Sequence, residues 1–198
     1  MTQALIMIDV QNDFCPGGAL AVEGGDQIIA PINAMQDDFA VKVLTQDWHP
    51  LNHSSFADNH QGAEPYSTTQ MPYGTQVLWP RHCIIGSTGA NFKSGLNTNS
   101  ADMIVRKGYN PSIDSYSAFF ENDHVTQTGL HGYLQERGVT ELTMVGLATD
   151  FCVKFSALDG AKLGYRVNII ESACRGIDLG GSLKIALNEM RSAGVSLA

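Results

Sequence analysis

Cys152 lies in the stretch GLATDFCVKFSAL, directly after the apolar run Leu142–Ala148. The run reads as a buried strand and the segment from Asp150 onward as a helix. That places the thiol in the first turn of a helix, at the carboxyl end of a strand. Free backbone N–H groups and the helix dipole favour an anion there. A thiol so placed is expected to ionise, its pKa falling from about 8.5 to about 4–7, and a thiolate is a nucleophile. The bland alternative is an inert, buried packing cysteine. Cys15, Cys83 and Cys174 lack the placement of Cys152 and are given that alternative.

A nucleophile needs a base and a charge partner. Asp9 ends the apolar run LIMI and Lys107 follows MIVR. A carboxylate at a strand end can accept a thiol proton or hold a lysine; it can also simply cap the next turn. Lys107 can stabilise an anion, or it can be a solvated loop lysine. Asp47 and His49 stand two apart in QDWHP, and His82 in WPRHC offers a third ligand. Asp/His/His suits a borderline divalent ion such as Zn²⁺, Mn²⁺ or Fe²⁺, although a D-x-H pair also arises by chance. His53 and His60 are spare histidines of the same polar loop. Phe14, Trp79 and Tyr116 adjoin these polar positions; each alone would be core packing, and together they suit a flat ring.

The elements that must position these groups can be read from periodicity. Five apolar runs recur, Ala4–Val10, Val41–Gln46, Asp102–Arg106, Leu142–Ala148 and Arg166–Glu171, each expected as a strand. Helices are expected over Gly25–Phe39, His124–Arg137, Asp150–Leu163 and Gly180–Ala193, with Val195–Leu197 as a sixth strand. Alternation of this kind implies a doubly wound α/β fold: a mainly parallel sheet of about six strands with helices on both faces. One domain over residues 1–198 is expected. In such sheets ligands bind beyond the carboxyl ends of the strands. That rule gathers Asp9, Asp47, Lys107 and Cys152 on one rim. Trp48–Ser100 interrupts the alternation and is too long for a plain connection. Its two tryptophans, two tyrosines and four histidines argue for an ordered excursion that builds a site.

Composition narrows the partners. The formal net charge is -8 and Lys/Arg are not clustered, so nucleic acid and anionic membrane surfaces are not expected. No apolar run approaches the roughly 20 residues of a membrane span. Met1 leads straight into a strand-like segment with no basic region or cleavage site, so no signal peptide is expected. Four widely spaced cysteines without a CxxC pair fit a reducing cytoplasm better than a disulfide framework.

Six motifs, in order, resemble the nicotinamidases of the isochorismatase-like cysteine hydrolase superfamily. They are DVQNDF at Asp9–Phe14, QDWHP at Gln46–Pro50, WPRHC at Trp79–Cys83, RKGYNP at Arg106–Pro111, DSYSAFF at Asp114–Phe120 and GLATDFCV at Gly146–Val153. The resemblance implies a catalytic triad of Asp9, Lys107 and Cys152. It implies a divalent ion, zinc first with iron or manganese as alternatives, on Asp47, His49 and His82. It leaves open whether His53, Ser55 or Glu64 joins the metal. It implies a cis Leu147–Ala148 peptide and an oxyanion hole of the Ala148 and Cys152 N–H groups. Phe14, Trp79 and Tyr116 would hold the ring. The expected reaction is nicotinamide to nicotinate and ammonia through a cysteine thioester, serving recycling toward NAD, with pyrazinamide as a near-isosteric second substrate. Self-association is common among such relatives, so a homo-oligomer is allowed.

Three other readings compete. A related cysteine amidase for another small carboxamide would not need the His/Trp-rich excursion. A redox-sensing thiol would leave Asp9, Lys107 and the metal motif unexplained. A non-catalytic metal module would have no use for an activated thiol.

Overall fold

A computed structural model describes residues 2–198. Six strands form one sheet in which every pairing is parallel, ordered β5-β2-β1-β6-β7-β8. They are β1 (Thr2–Ile8), β2 (Val41–Asp47), β5 (Met103–Lys107), β6 (Val139–Leu147), β7 (Arg166–Arg175) and β8 (Ser196–Leu197). The expected mainly parallel sheet is thus wholly parallel. A separate antiparallel hairpin, β3 (Thr68–Met71) and β4 (Gly74–Val77), lies inside the excursion. Leu5, Ile6, Met7 and Ile8 of β1 are buried without exception, as a strand covered on both faces requires.

Four α-helices connect the strands: α1 (Ile29–Met35), α2 (Leu130–Glu136), α3 (Lys154–Lys162) and α4 (Ser182–Ser192). From β1 the chain winds one way to β2 and β5, then crosses back to β6, β7 and β8. Right-handed crossovers in opposite directions put α1 on one face and α2, α3 and α4 on the other. The winding reverses between β1 and β6, where an open α/β sheet leaves a crevice at its carboxyl edge.

Element boundaries depart from the sequence reading where polar groups intervene. The segment at His124 is a turn rather than helix, because the Asp123 carboxylate accepts the N–H groups of Val125 and Thr126 at 2.9 Å each. The helix expected from Asp150 starts with a single π-turn, Thr149–Val153, and becomes α-helical at Lys154. The helix expected over Gly25–Phe39 is α-helical only over Ile29–Met35, with 3-10 turns on either side. β1 stops at Ile8 instead of Val10, since Asp9 turns the chain with φ +49°. β7 runs on to Arg175 past the register shift in its pairing with β6.

The excursion is tied to the rim by backbone hydrogen bonds. Trp48 N–H donates to the Lys107 carbonyl at 2.9 Å, Asp13 N–H to Gly89 at 3.0 Å and Lys93 N–H to Val10 at 2.8 Å. The segments carrying Asp47, His82 and Phe14 therefore converge on the same end of the sheet.

Candidate active site and metal centre

Strand adjacency sets the first contact. Asp47 and Lys107 are register partners at the ends of β2 and β5, so their side chains emerge side by side. The Lys107 ammonium donates to Asp47 Oδ1, and to the Ser115 carbonyl at 3.0 Å. It lies 2.8 Å from Asp9 Oδ2 and 3.5 Å from Cys152 Sγ. Thr45 donates its hydroxyl to Asp9 Oδ1 at 2.6 Å and accepts the Asp9 N–H at 3.2 Å. Asp9, Lys107 and Cys152, inferred one by one along the chain, stand together in the fold.

Cys152 reaches that cluster from the π-turn after the cis Leu147–Ala148 peptide. The turn is held from two sides. Ser156 donates its hydroxyl to the Cys152 carbonyl at 2.6 Å and accepts the Ala118 N–H at 2.8 Å. Asp150, buried, accepts the N–H groups of Ile177 and Asp178 at 2.9 Å each. Gly146, with φ +124°, is required just upstream. A Cβ there would stand 2.0 Å from the Ile8 carbonyl oxygen, so only glycine lets β6 lie this close to β1 beside Asp9.

Burial opposes the expected thiolate. Burial pushes the Cys152 thiol well above its ordinary pKa; Lys107 pulls it down, while Asp9 and Asp47 push it up again. The sequence reading weighed the helix terminus and not the two carboxylates beside it. Burial also raises the Asp9 carboxyl, and Lys107 only partly offsets this. Burial works against ionised Lys107, yet Asp47 and Asp9 outweigh it and keep the ammonium charged far above the ordinary lysine range. Burial would raise Asp47 as well, but Lys107, His49 and His82 hold it well below 3.8. Burial thus favours the neutral thiol, beside a lysine held charged by Asp47 and Asp9.

Asp47 also faces the other way. Its Oδ2 lies 3.6 Å from His49 Nε2 and 3.7 Å from His82 Nε2. Each imidazole is anchored through its far nitrogen. Nδ1 of His49 is 2.8 Å from the Gly108 carbonyl, and Nδ1 of His82 is 2.8 Å from that of Pro80. A carbonyl only accepts, so Nδ1 carries a proton in each ring and Nε2 is left facing Asp47. Two aimed imidazole nitrogens and a carboxylate oxygen, within 4.8 Å of one another, fit a divalent ion. Gln11 fixes the carboxylate's backbone, accepting the Asp47 N–H at 2.8 Å and donating to the Asp47 carbonyl at 2.9 Å.

The three residues left open separate. His53 Nδ1 engages Ser55 Oγ at 2.7 Å, and its Nε2 lies 3.2 Å from the Ile113 carbonyl. Its ligand atom also groups with those of His49 and Asp114. Glu64 is exposed and outside these groups.

Phe14, Trp79 and Tyr116 line one recess with Cys152, Ala148, Asp47 and His82. Phe151 stands edge-on to Trp79, ring centroids 4.8 Å apart. Leu20, Asp114, Phe151 and Ile177 complete the wall. Sequence reasoning gave no role to these four, nor to Gln11 and Thr45. Gln11, Asp114 and Phe151 lie inside the quoted motifs and were legible there; Leu20, Thr45 and Ile177 carry no local signal.

Comparison with known proteins places these features in context. The model of the isochorismatase domain matches residues 3–198. A nicotinamidase of Acinetobacter baylyi is 53% identical over 97% of this chain and 90% of its own. One of Escherichia coli is 43% identical over 98% and 93%. Among solved structures, an Acinetobacter baumanii nicotinamidase and pyrazinamidase superposes with a TM-score of 0.98 at 54% identity, covering 99% of this chain and 95% of that one. PnC1 of L. infantum in complex with nicotinate gives 0.87 at 38%, covering 100% and 92%. A Pyrococcus horikoshii pyrazinamidase in complex with zinc gives 0.80 at 34%, covering 100% and 99%.

Proposed function

The chain belongs to the isochorismatase family, and from that premise we propose that it hydrolyses nicotinamide to nicotinate and ammonia. One observation carries the reading: a buried thiol that meets Lys107 and Asp9 opens into a recess walled by flat aromatics, beside a carboxylate shared with two aimed imidazoles. The relatives named nicotinamidase, and the neighbour solved with nicotinate, support it.

Phe14, Trp79 and Tyr116 hold the ring and set the carboxamide carbon over Cys152. Asp9 takes the thiol proton as sulfur attacks, so the charged nucleophile exists only while it reacts. Lys107 offsets the negative charge that moves between sulfur and carboxylate. The N–H groups of Ala148 and Cys152 receive the oxyanion; one such donor is typically worth about 10²–10³ in rate. Asp9 returns its proton to the departing nitrogen, the C–N bond breaks and ammonia leaves. Water, deprotonated by Asp9, then adds to the thioester; nicotinate forms and the thiol regains its proton. Asp47, His49 and His82 would hold a divalent ion, zinc first with iron or manganese as alternatives. When bound, that ion supplies a Lewis-acid anchor for the pyridine nitrogen. The zinc-bound pyrazinamidase neighbour supports the metal's class. Pyrazinamide, with one ring CH replaced by nitrogen, fits the same scheme. Recycling of nicotinamide toward NAD in a reducing cytoplasm follows from that activity and from four free, buried cysteines.

A redox-sensing role fits poorly, because it leaves the Asp9–Lys107 pair and the Asp47, His49 and His82 cluster without a use. The test is ammonia release from nicotinamide by the metal-loaded protein, with and without a chelator, and by Cys152→Ala. Release lost in the mutant supports the reading. Release retained there removes Cys152 as nucleophile, and no release by wild type removes nicotinamide as substrate.

A further inference from the structure

The hairpin β3–β4 sends one fully buried polar side chain inward, Gln76. Its amide nitrogen lies 2.7 Å from Asp114 Oδ2, 2.7 Å from the Val77 carbonyl and 2.9 Å from the Tyr116 hydroxyl. Its carbonyl oxygen accepts from the Tyr73 hydroxyl at 3.2 Å and from Asn122 Nδ2 at 3.3 Å. Asn122 in turn accepts the Tyr116 N–H at 3.1 Å. The Tyr116 oxygen also accepts Trp79 Nε1 at 3.0 Å. Apart from the Val77 carbonyl, every partner is thus on the recess wall or one bond behind it.

We propose that Gln76 is a positioning residue that sets the ring specificity of this site, acting through Asp114, Tyr116 and Trp79. The proposal rests on the reading of the recess as the ring pocket. The geometry explains the residue type. Asp114 can only accept and the Tyr116 oxygen accepts here, so the position needs a neutral group with two donor hydrogens, and an amide has them. The same side chain must offer an acceptor to Tyr73 and Asn122, which excludes lysine and arginine. Trp79 Nε1 only donates, so the Tyr116 oxygen is fixed as its acceptor and the two rings are locked edge-on, centroids 6.2 Å apart. Removing the amide leaves Asp114 without that donor and unlocks the Tyr116 side of the wall, while Cys152, Lys107 and Asp9 keep their contacts. The hairpin is the piece of the excursion that contributes no chemical group of its own; on this account its contribution is this brace.

The test compares Gln76→Met, close in length and without donors, with wild type and with Tyr116→Phe, each metal-loaded. KM for nicotinamide should rise about tenfold, the scale of one lost buried hydrogen bond, with a smaller fall in kcat. Effects of Gln76→Met and Tyr116→Phe on KM should be non-additive in the double mutant. A lowered melting temperature with KM unchanged, or full additivity, would overturn the proposal. A readout that needs no substrate separates it from the functional reading. With Trp48→Phe making Trp79 the sole tryptophan, Gln76→Met should increase acrylamide quenching of its fluorescence. Unchanged quenching counts against the brace even where wild type proves inactive on nicotinamide, and increased quenching supports it in that same case.

Discussion

Asp47 and Lys107 occupy the same register position on neighbouring parallel strands, and the contact between them joins the two halves of the site. One oxygen of Asp47 serves the ammonium that faces Cys152 and Asp9, and the other faces His49 and His82. On the proposed reading the metal site and the nucleophile share this carboxylate. Asp47→Ala is expected to lose the bound metal and, with it, at least about 10² in kcat/KM, since a ligand should cost no less than the 10–100-fold of an outer partner. Metal analysis of the purified variant checks this. Metal content equal to wild type would remove Asp47 from the ligand set.

The raised Asp9 carboxyl gives a pH expectation. The proposed base works only when ionised, and burial puts its pKa above the ordinary 3.8. As pH falls through that raised value Asp9 takes a proton and cannot accept one from Cys152. The acid limb of kcat/KM should therefore lie above pH 3.8, and Asp9→Asn should be inactive across the profile. Activity persisting on the acid side of 3.8 would exclude Asp9 as the base.

Protons and metal compete at His49. Burial disfavours a charged imidazole there, but Asp47 outweighs it and raises the His49 pKa above 6.5. A cation must displace that proton, so affinity is full above the raised pKa and weakens as pH falls below it. Zinc titrations should show an apparent Kd that climbs toward about tenfold per pH unit on the acid side. A Kd flat on both sides of 6.5 would show that His49 does not bind the metal.

How much could be read in the chain depends on whether the cause is local. The strand runs announced themselves because β1, β2 and β6 are buried along most of their length and so carry apolar stretches. Asp9, Asp47, Lys107 and Cys152 were legible because the carboxyl ends of such runs must share one rim. The upward push on the thiol's pKa was not, because it comes first from burial and then from carboxylates that approach from other strands. Thr45 and Ile177 were silent for a similar reason: a hydroxyl under Asp9 and an aliphatic over the recess matter only through contacts across the fold. The late start of α2, whose helix was expected from His124, was not legible, because the Asp123 carboxylate captures the N–H groups of Val125 and Thr126.

Gly108 offers a way to loosen the metal side while sparing the thiol side. It has φ +68°, and a Cβ added there would stand 2.3 Å from His49 Cε1 and 2.6 Å from its Nδ1. Its carbonyl is the acceptor that fixes the His49 ring. Gly108→Ala must therefore push the imidazole off its anchor, while Lys107 keeps Asp9 and Ser115. Zinc affinity is expected to fall about 10–100-fold, the range for losing an outer partner of a metal ligand. Stability should drop by about 1–2 kcal/mol from the left-handed backbone. Gly146→Ala is the contrast. Its Cβ would meet the Ile8 backbone at 2.0 Å rather than a side chain, so the sheet itself must shift and the melting temperature should fall further. Zinc titration and thermal melts of the two variants side by side decide the matter. Equal zinc affinity in wild type and Gly108→Ala would show that His49 is not held through this carbonyl.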